Sequence, residues 1–121
     1  MVKITARLRP HERLKDPDAF RRAFQRRRWE SDGILAVYGI ENGRDYPRLG
    51  ISVSRKKVRS ANDRNRLKRL IREAFRLSKA DLPPGIDLVV VPRAQHAQFA
   101  AVQRSLSALS HKLVRRMKSQ S

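Results

Sequence analysis

The chain has 121 residues, 40% of them hydrophobic, which suits one domain with one modest core. Lys and Arg number 29 against 11 Asp and Glu, and the formal charge of +18 repels itself unless a polyanion lies beside it. Cysteine is absent, which excludes disulfides, thiolate metal sites and a Cys nucleophile and points to a reducing compartment, while no apolar run approaches the ~20 residues of a membrane span.

Residues 1–13 are basic and without apolar period; they are expected as a flexible arm, of a kind able to order on a partner. Their MVKITARLRPHERLK start has no apolar signal region, so a cytoplasmic location with no membrane partner is expected. Residues 14–117 form the single expected domain and 118–121 a tail. Asp16-Pro17 is a helix start, a cap followed by proline in the first turn, and it places Phe20, Ala23 and Phe24 on one face of a helix ending in Gln25 to Arg28.

GILAVYGI at 33–40 predicts a strand, ENGRDYP a turn, and RLGISVS a second strand. In that second strand Leu49, Ile51 and Val53 alternate with Gly50, Ser52 and Ser54, so one face is core and the other small and polar. A basic helix follows, LPPG breaks the chain, and IDLVVVP predicts a buried strand ending at Pro92. From Ala94 to Met117, Phe99, Val102, Leu106, Leu109 and Leu113 fall at helical spacing and predict an amphipathic helix.

The basic helix carries the sharpest signal. In DRNRLKRLIREAFR, Leu67, Leu70, Ile71, Ala74 and Ser78 make one stripe at 3.6 residues per turn, with Phe75 at its border. Asn65, Lys68, Arg69, Arg72 and Arg76 cluster opposite, and Arg66 lies on the flank. Such a helix docks by its stripe and presents a rigid row of donors, and the planar fork of arginine suits phosphate oxygens. A solvated face kept soluble by charge is the plainer alternative; the net charge of +18 favours the phosphate-binding one.

Phe20 and Phe24, one turn apart, and Tyr38 on the first strand admit two readings: core packing, or flat surfaces on which unpaired bases stack. Trp29 belongs to the same surface or caps the sheet edge. Nothing in the sequence forms a hydrolytic centre. His11, His96 and His111 show no HxxxH or HxxE pairing, and Asp16 and Asp18 are first-turn acids of a helix rather than metal ligands. No catalytic or metal-binding residue is assigned.

RNRLKRLIRE at 64–73, preceded by LGISVSRKK at 49–57, resembles the signature segment of the bacterial ribonuclease P protein subunit. The likeness extends to the paired aromatics, the Tyr38 strand, DLVVVPRA and the last helix, roughly residues 14 to 115. Two glycines of the family pattern are missing: one after the first helix, within QRRRWES, and one before the signature helix, where this chain has Arg59 and then Ser60-Ala61-Asn62-Asp63.

The resemblance implies an α/β (α+β) two-layer sandwich with a left-handed crossover around the signature helix, a handedness that the general rule would not predict. It implies an accessory subunit, monomeric in a 1:1 ribonucleoprotein, that assists removal of the 5′ leader from precursor tRNA. Catalysis and most Mg2+ binding then belong to the RNA subunit. Arg55, Lys56, Lys57, Arg64, Asn65, Arg66, Lys68, Arg69 and Arg72 would bind the RNA subunit; Phe20, Phe24 and Tyr38, with Ser52 and Ser54 as floor, would bind the leader. A ribosomal or other structural RNA-binding protein without a role in tRNA processing is the alternative. A nucleoid-type DNA-binding protein is disfavoured, because no helix-turn-helix pair or zinc spacing is present.

Overall fold

A computed structural model describes residues 8–119. The first helix, α1 (Pro17–Gln25), begins where the cap and proline place it: Asp16 Oδ1 accepts the Asp18 N–H at 3.0 Å. Strands β1 (Trp29–Ser31), β2 (Leu35–Glu41) and β3 (Arg48–Ile51) follow, then α2 (Ala61–Ser78), β4 (Ile86–Pro92) and α3 (Phe99–Ser119). The four strands form one sheet in the order β1-β2-β4-β3; β1, β2 and β4 are antiparallel neighbours, and β3 lies parallel to β4. Parallel neighbours need a crossover, and α2 supplies it.

Alternation along the strands divides the core. Leu35, Val37, Leu49, Ile86, Leu88 and Val90 pack with Ile71, Ala74 and Phe75 of α2 and with Val102, Leu106, Leu109 and Leu113 of α3. Gly39 lets α3 sit close, since a Cβ there would lie 2.6 Å from Leu113 Cδ2. On the opposite face Val89 packs with Leu14, Ala19 and Ala23, flanked by Phe20, Tyr38 and Ile40. The α2–α3 pair therefore makes the helical layer, and α1 covers part of the sheet's back. Each fully buried Leu, Ile or Phe contributes about 1.5–3 kcal/mol, so these faces outweigh local propensity.

Several boundaries differ from the sequence expectation. The strand read through Ser54 stops at Ile51: Ser52 N–H still donates to Val90 O at 3.0 Å, but the next parallel rung needs an N–H from residue 92, a proline. The last helix begins at Phe99, because residues 93–98 form a link whose Arg93 and Ala94 N–H groups donate to Ile34 O. β1 has no sequence signature of its own; it is three residues paired on β2. Phe75 is fully buried instead of bordering the stripe, and Leu70 is half-buried.

The arm expected over residues 1–13 is anchored in its second half, and residues 1–7 lie outside the described residues. Pro10–Glu12 form a 3-10 turn, Arg13 bridges to Leu49 in parallel, and Leu14 N–H donates to Leu49 O at 2.8 Å, so the segment caps the outer edge of β3. Glu12 is buried and accepts from Lys79 Nζ at 2.9 Å. Burial raises its carboxyl, but the Arg9 N–H and the Lys79 ammonium outweigh that and hold it below the usual range.

Asp32 behaves in the same way. Burial raises it, and the Leu35 N–H, the Ser105 hydroxyl, the Ile34 N–H and Arg93 bring it lower on balance. It thereby ties the start of β2 to α3, with Ser105 Oγ donating at 2.7 Å. A carboxyl whose folded pKa lies below its unfolded value stabilises the fold above that unfolded value, and the stabilisation is lost as pH falls through the folded one. Starting from 4.5 for Glu12 and 3.8 for Asp32, the melting temperature should be flat from neutral pH to about 5 and fall steeply below about 4. Melting curves at stepped pH test this; a flat profile down to about pH 2 would show that these carboxylates add nothing.

Candidate nucleic-acid interface

Two surfaces stand out: an aromatic row at the β1–β2 end of the sheet and a basic groove at its β3 edge. On the back of the sheet, Phe24 stands edge-on to Tyr38 with centroids 4.7 Å apart and planes at 75°, and Trp29, opposite Tyr38 in the β1–β2 register, stacks at 6.1 Å and 34°. Phe24 is 36% exposed and Trp29 43%, so this aromatic row offers faces to solvent. Trp29, whose place the sequence left open, thus belongs to the row. Phe20 is set deeper: a Cβ on Gly50 would lie 2.7 Å from its Cζ, so only glycine admits the ring there. Beyond α1, half-buried Ala36, Val91 and Ser52 continue the same sheet face.

Ser54 does not join that floor. Its Oγ accepts from the Lys56 and Lys57 N–H groups at 3.2 and 3.3 Å, and its carbonyl accepts the Val58 N–H at 2.9 Å. Ser54 therefore shapes a turn anchored by buried Val58, with Arg55, Lys56 and Lys57 exposed at the tip. The sequence lacks the glycine expected here, and the segment instead becomes a helix start: Ser60 Oγ accepts the Asp63 N–H at 3.3 Å, and α2 begins at Ala61.

The cations of α2 divide by task. Arg64 donates to the carbonyls of Val58 and Arg59 at 2.9 and 2.8 Å, closing the turn before its own helix. Arg66 donates to Ala97 O at 3.1 Å and pins the link before α3. Arg69 and Asn65 are exposed, and Arg76 pairs with Glu73. Lys68 and Arg72 line a groove with Arg13, Lys15, Phe20, Leu49 and Ile51. Arg72 is lowered from its ordinary value, first by burial and then by the positive fields of Arg13 and Arg69. It stays charged, and the like-signed neighbours mark a groove of positive potential that an anion would relieve.

Arg13 and Lys15 were not singled out from the sequence. Their signal was present: apolar Leu14 stands between the cations Arg13 and Lys15, the alternation of an extended segment with one side on protein. The groove they complete runs from Phe20 of α1 to Lys68 and Arg72 of the basic helix. Stacking faces and a line of cations without an acidic partner among the described residues are what single-stranded nucleic acid needs. Among the described residues no three of His, Asp or Glu converge to hold a metal ion, and no helix is long and apolar enough to cross a membrane.

The ribonuclease P family model matches residues 8–114. The ribonuclease P protein component of Methylococcus capsulatus is 45% identical over 96 residues, covering 78% of this chain and 74% of that protein. The Escherichia coli component is 39% identical over 117 residues, covering 96% and 93%. Among solved structures, the RNase P protein of Thermotoga maritima superimposes with a TM-score of 0.73 at 36% identity, covering 83% of this chain and 96% of that one. The Staphylococcus aureus protein gives 0.71 at 33%, covering 81% and 91%.

Proposed function

Since the chain belongs to the ribonuclease P protein family, we propose that it binds the RNA subunit of that ribonucleoprotein and the 5′ leader of precursor tRNA, and so assists endonucleolytic removal of the leader. The observation that carries this reading is the groove in which Phe20 meets Arg13, Lys15, Lys68 and Arg72. It sets an aromatic ring of α1 beside a line of cations. Arg55, Lys56, Lys57, Asn65, Lys68, Arg69 and Arg72 face the RNA subunit, while Arg64 and Arg66 hold the basic turn and the helix in shape and present their remaining donors. Hydrolysis, and the Mg2+ it uses, are assigned to the RNA subunit and its substrate, the protein acting as a 1:1 partner that positions the leader.

Adding the protein to a bacterial ribonuclease P RNA and precursor tRNA at low magnesium should stimulate cleavage. A protein that binds the RNA without stimulating it is a structural RNA-binding protein, and the proposal then fails.

Within the assembled particle, Phe24→Ala and Tyr38→Ala should leave RNA-subunit binding unchanged and weaken precursor tRNA. Stacking lost from one base is worth about 1–3 kcal/mol, a fivefold to hundredfold loss of affinity. Mature tRNA has no leader, so its binding should not respond. Phe24 is exposed enough that truncation costs little fold stability, unlike a buried aromatic at about 3–5 kcal/mol. A large drop in melting temperature with parallel loss of both tRNAs would return these rings to the core.

A further inference from the structure

Arg27 holds a backbone conformation that arginine disfavours. Its φ is 55°, and among the described residues it is the one non-glycine with positive φ. The turn around it is fixed at both ends. Arg26 N–H donates to Arg22 O at 3.1 Å, Arg27 N–H to Phe24 O at 3.2 Å, and Arg28 O accepts the Gly39 N–H at 3.1 Å. Glycine would make the same main-chain bonds without the steric cost. Folding alone therefore gives no reason for a long charged side chain here, and strain of this kind concentrates where a residue has another task.

The neighbouring cations differ from it. Glu41 takes Arg28 at 3.1 Å and Arg26 at 3.7 Å, so both are neutralised from the β2 side. Arg27 is exposed and has no acidic partner among the described residues. It also sits in the turn that joins Phe24 to Trp29, the two exposed rings packed against Tyr38. When successive bases stack on such a row, the phosphates run alongside it, and a positive fork at the row's end meets them.

We propose that Arg27 binds a phosphodiester group of the single-stranded RNA segment that stacks on Phe24, Tyr38 and Trp29. The proposal rests on the leader reading above and adds a backbone contact on the side of the cleft away from the basic helix. The contact is independent of base identity, so it raises affinity for all leaders alike.

The test uses the full chain assembled with its RNA subunit, titrated with precursor tRNA and with mature tRNA across a salt series. Arg27→Gly should keep or raise the melting temperature, since the left-handed turn is relieved. It should weaken precursor tRNA by about three- to tenfold, the net worth of one typical hydrogen bond. The slope of log affinity against log salt should fall by about 0.7, one phosphate contact on a single strand. Mature tRNA and RNA-subunit binding should stay unchanged, and Arg27→Lys should retain most of the precursor affinity. Unchanged precursor binding by Arg27→Gly, or equal loss for precursor and mature tRNA, overturns the proposal alone. Wild-type particles that fail to favour precursor over mature tRNA overturn the leader reading, and the proposal with it.

Discussion

Raising the salt from about 50 to 200 mM should weaken binding to the RNA subunit by about a thousandfold. The estimate follows from counterion release: each neutralised phosphate contributes close to one unit of slope in log affinity against log salt, and about six contacts over a fourfold change give that factor. Six cations of the RNA-subunit set have no acidic partner among the described residues: Arg55, Lys56 and Lys57 on the turn and Lys68, Arg69 and Arg72 on α2. Arg76 is excluded because Glu73 already holds it. The double variant Arg69→Ala/Arg72→Ala should lower the slope by about two units, whereas Arg104→Ala/Arg115→Ala on the exposed side of α3 should leave it near the wild-type value. Arg66 is the wrong choice for such a variant, because its bond to Ala97 O also holds the link before α3. A flat salt dependence would remove the phosphate reading, and equal slopes from the two double variants would reduce it to total charge. Filter binding or fluorescence titration at several salt concentrations measures both.

Replacing Asp87 by Ala should destabilise the fold by about 3–5 kcal/mol, the range for stranding one member of a buried ion pair. Asp87 is 3% exposed, although it lies on a strand of otherwise apolar residues. Its carboxylate accepts both arms of the Arg48 fork, Nε at 2.8 Å and Nη2 at 2.7 Å, and the Asn42 amide at 2.9 Å. Asp87 and Arg48 are directly opposed in the parallel β3–β4 register. Asn42 donates also to Tyr46 O, so the network holds the β2–β3 turn and β3 together against β4. Donating these hydrogen bonds to Asp87 holds Arg48 above its ordinary value. Urea unfolding at neutral pH measures the loss. Arg48→Met/Asp87→Leu should recover much of it, since an apolar pair leaves no unpaired charge. A loss below about 1 kcal/mol for Asp87→Ala would mean that water reaches the site and the pair adds little. Because β3 leads into the basic turn and α2, the Asp87→Ala protein should also lose RNA affinity in proportion to its unfolded fraction.

Much of the candidate site is legible from local patterns. The cap at Asp16-Pro17, the alternation of Leu49 and Ile51 with Gly50 and Ser52, the apolar run of β4 and the two faces of α2 are properties of neighbouring residues. A period of 2.0 or 3.6 exposes them without any knowledge of the fold. For the same reason the net charge and the absence of cysteine limited the partner to a polyanion and removed thiol chemistry before any coordinate was known.

Tertiary structure decided what depends on contacts between distant residues. Arg64 and Arg66 belong to the same basic run as Arg69, but carbonyls of residues 58, 59 and 97 come within reach only once the turn and the α3 link have folded around α2. The arm is basic and without period, yet Leu49 O and Lys79 anchor it, and that anchoring delivers Arg13 and Lys15 to the groove. The strand after Arg48 ends because its neighbour carries Pro92, a reason found on another strand. Arg27 shows the division most plainly. Its residue type gives no hint of a left-handed turn, and only the fixed exit of α1 into β1 imposes one. Periodicity is written in the order of residues, whereas hydrogen-bond partners and backbone strain are set by which segments the chain brings together.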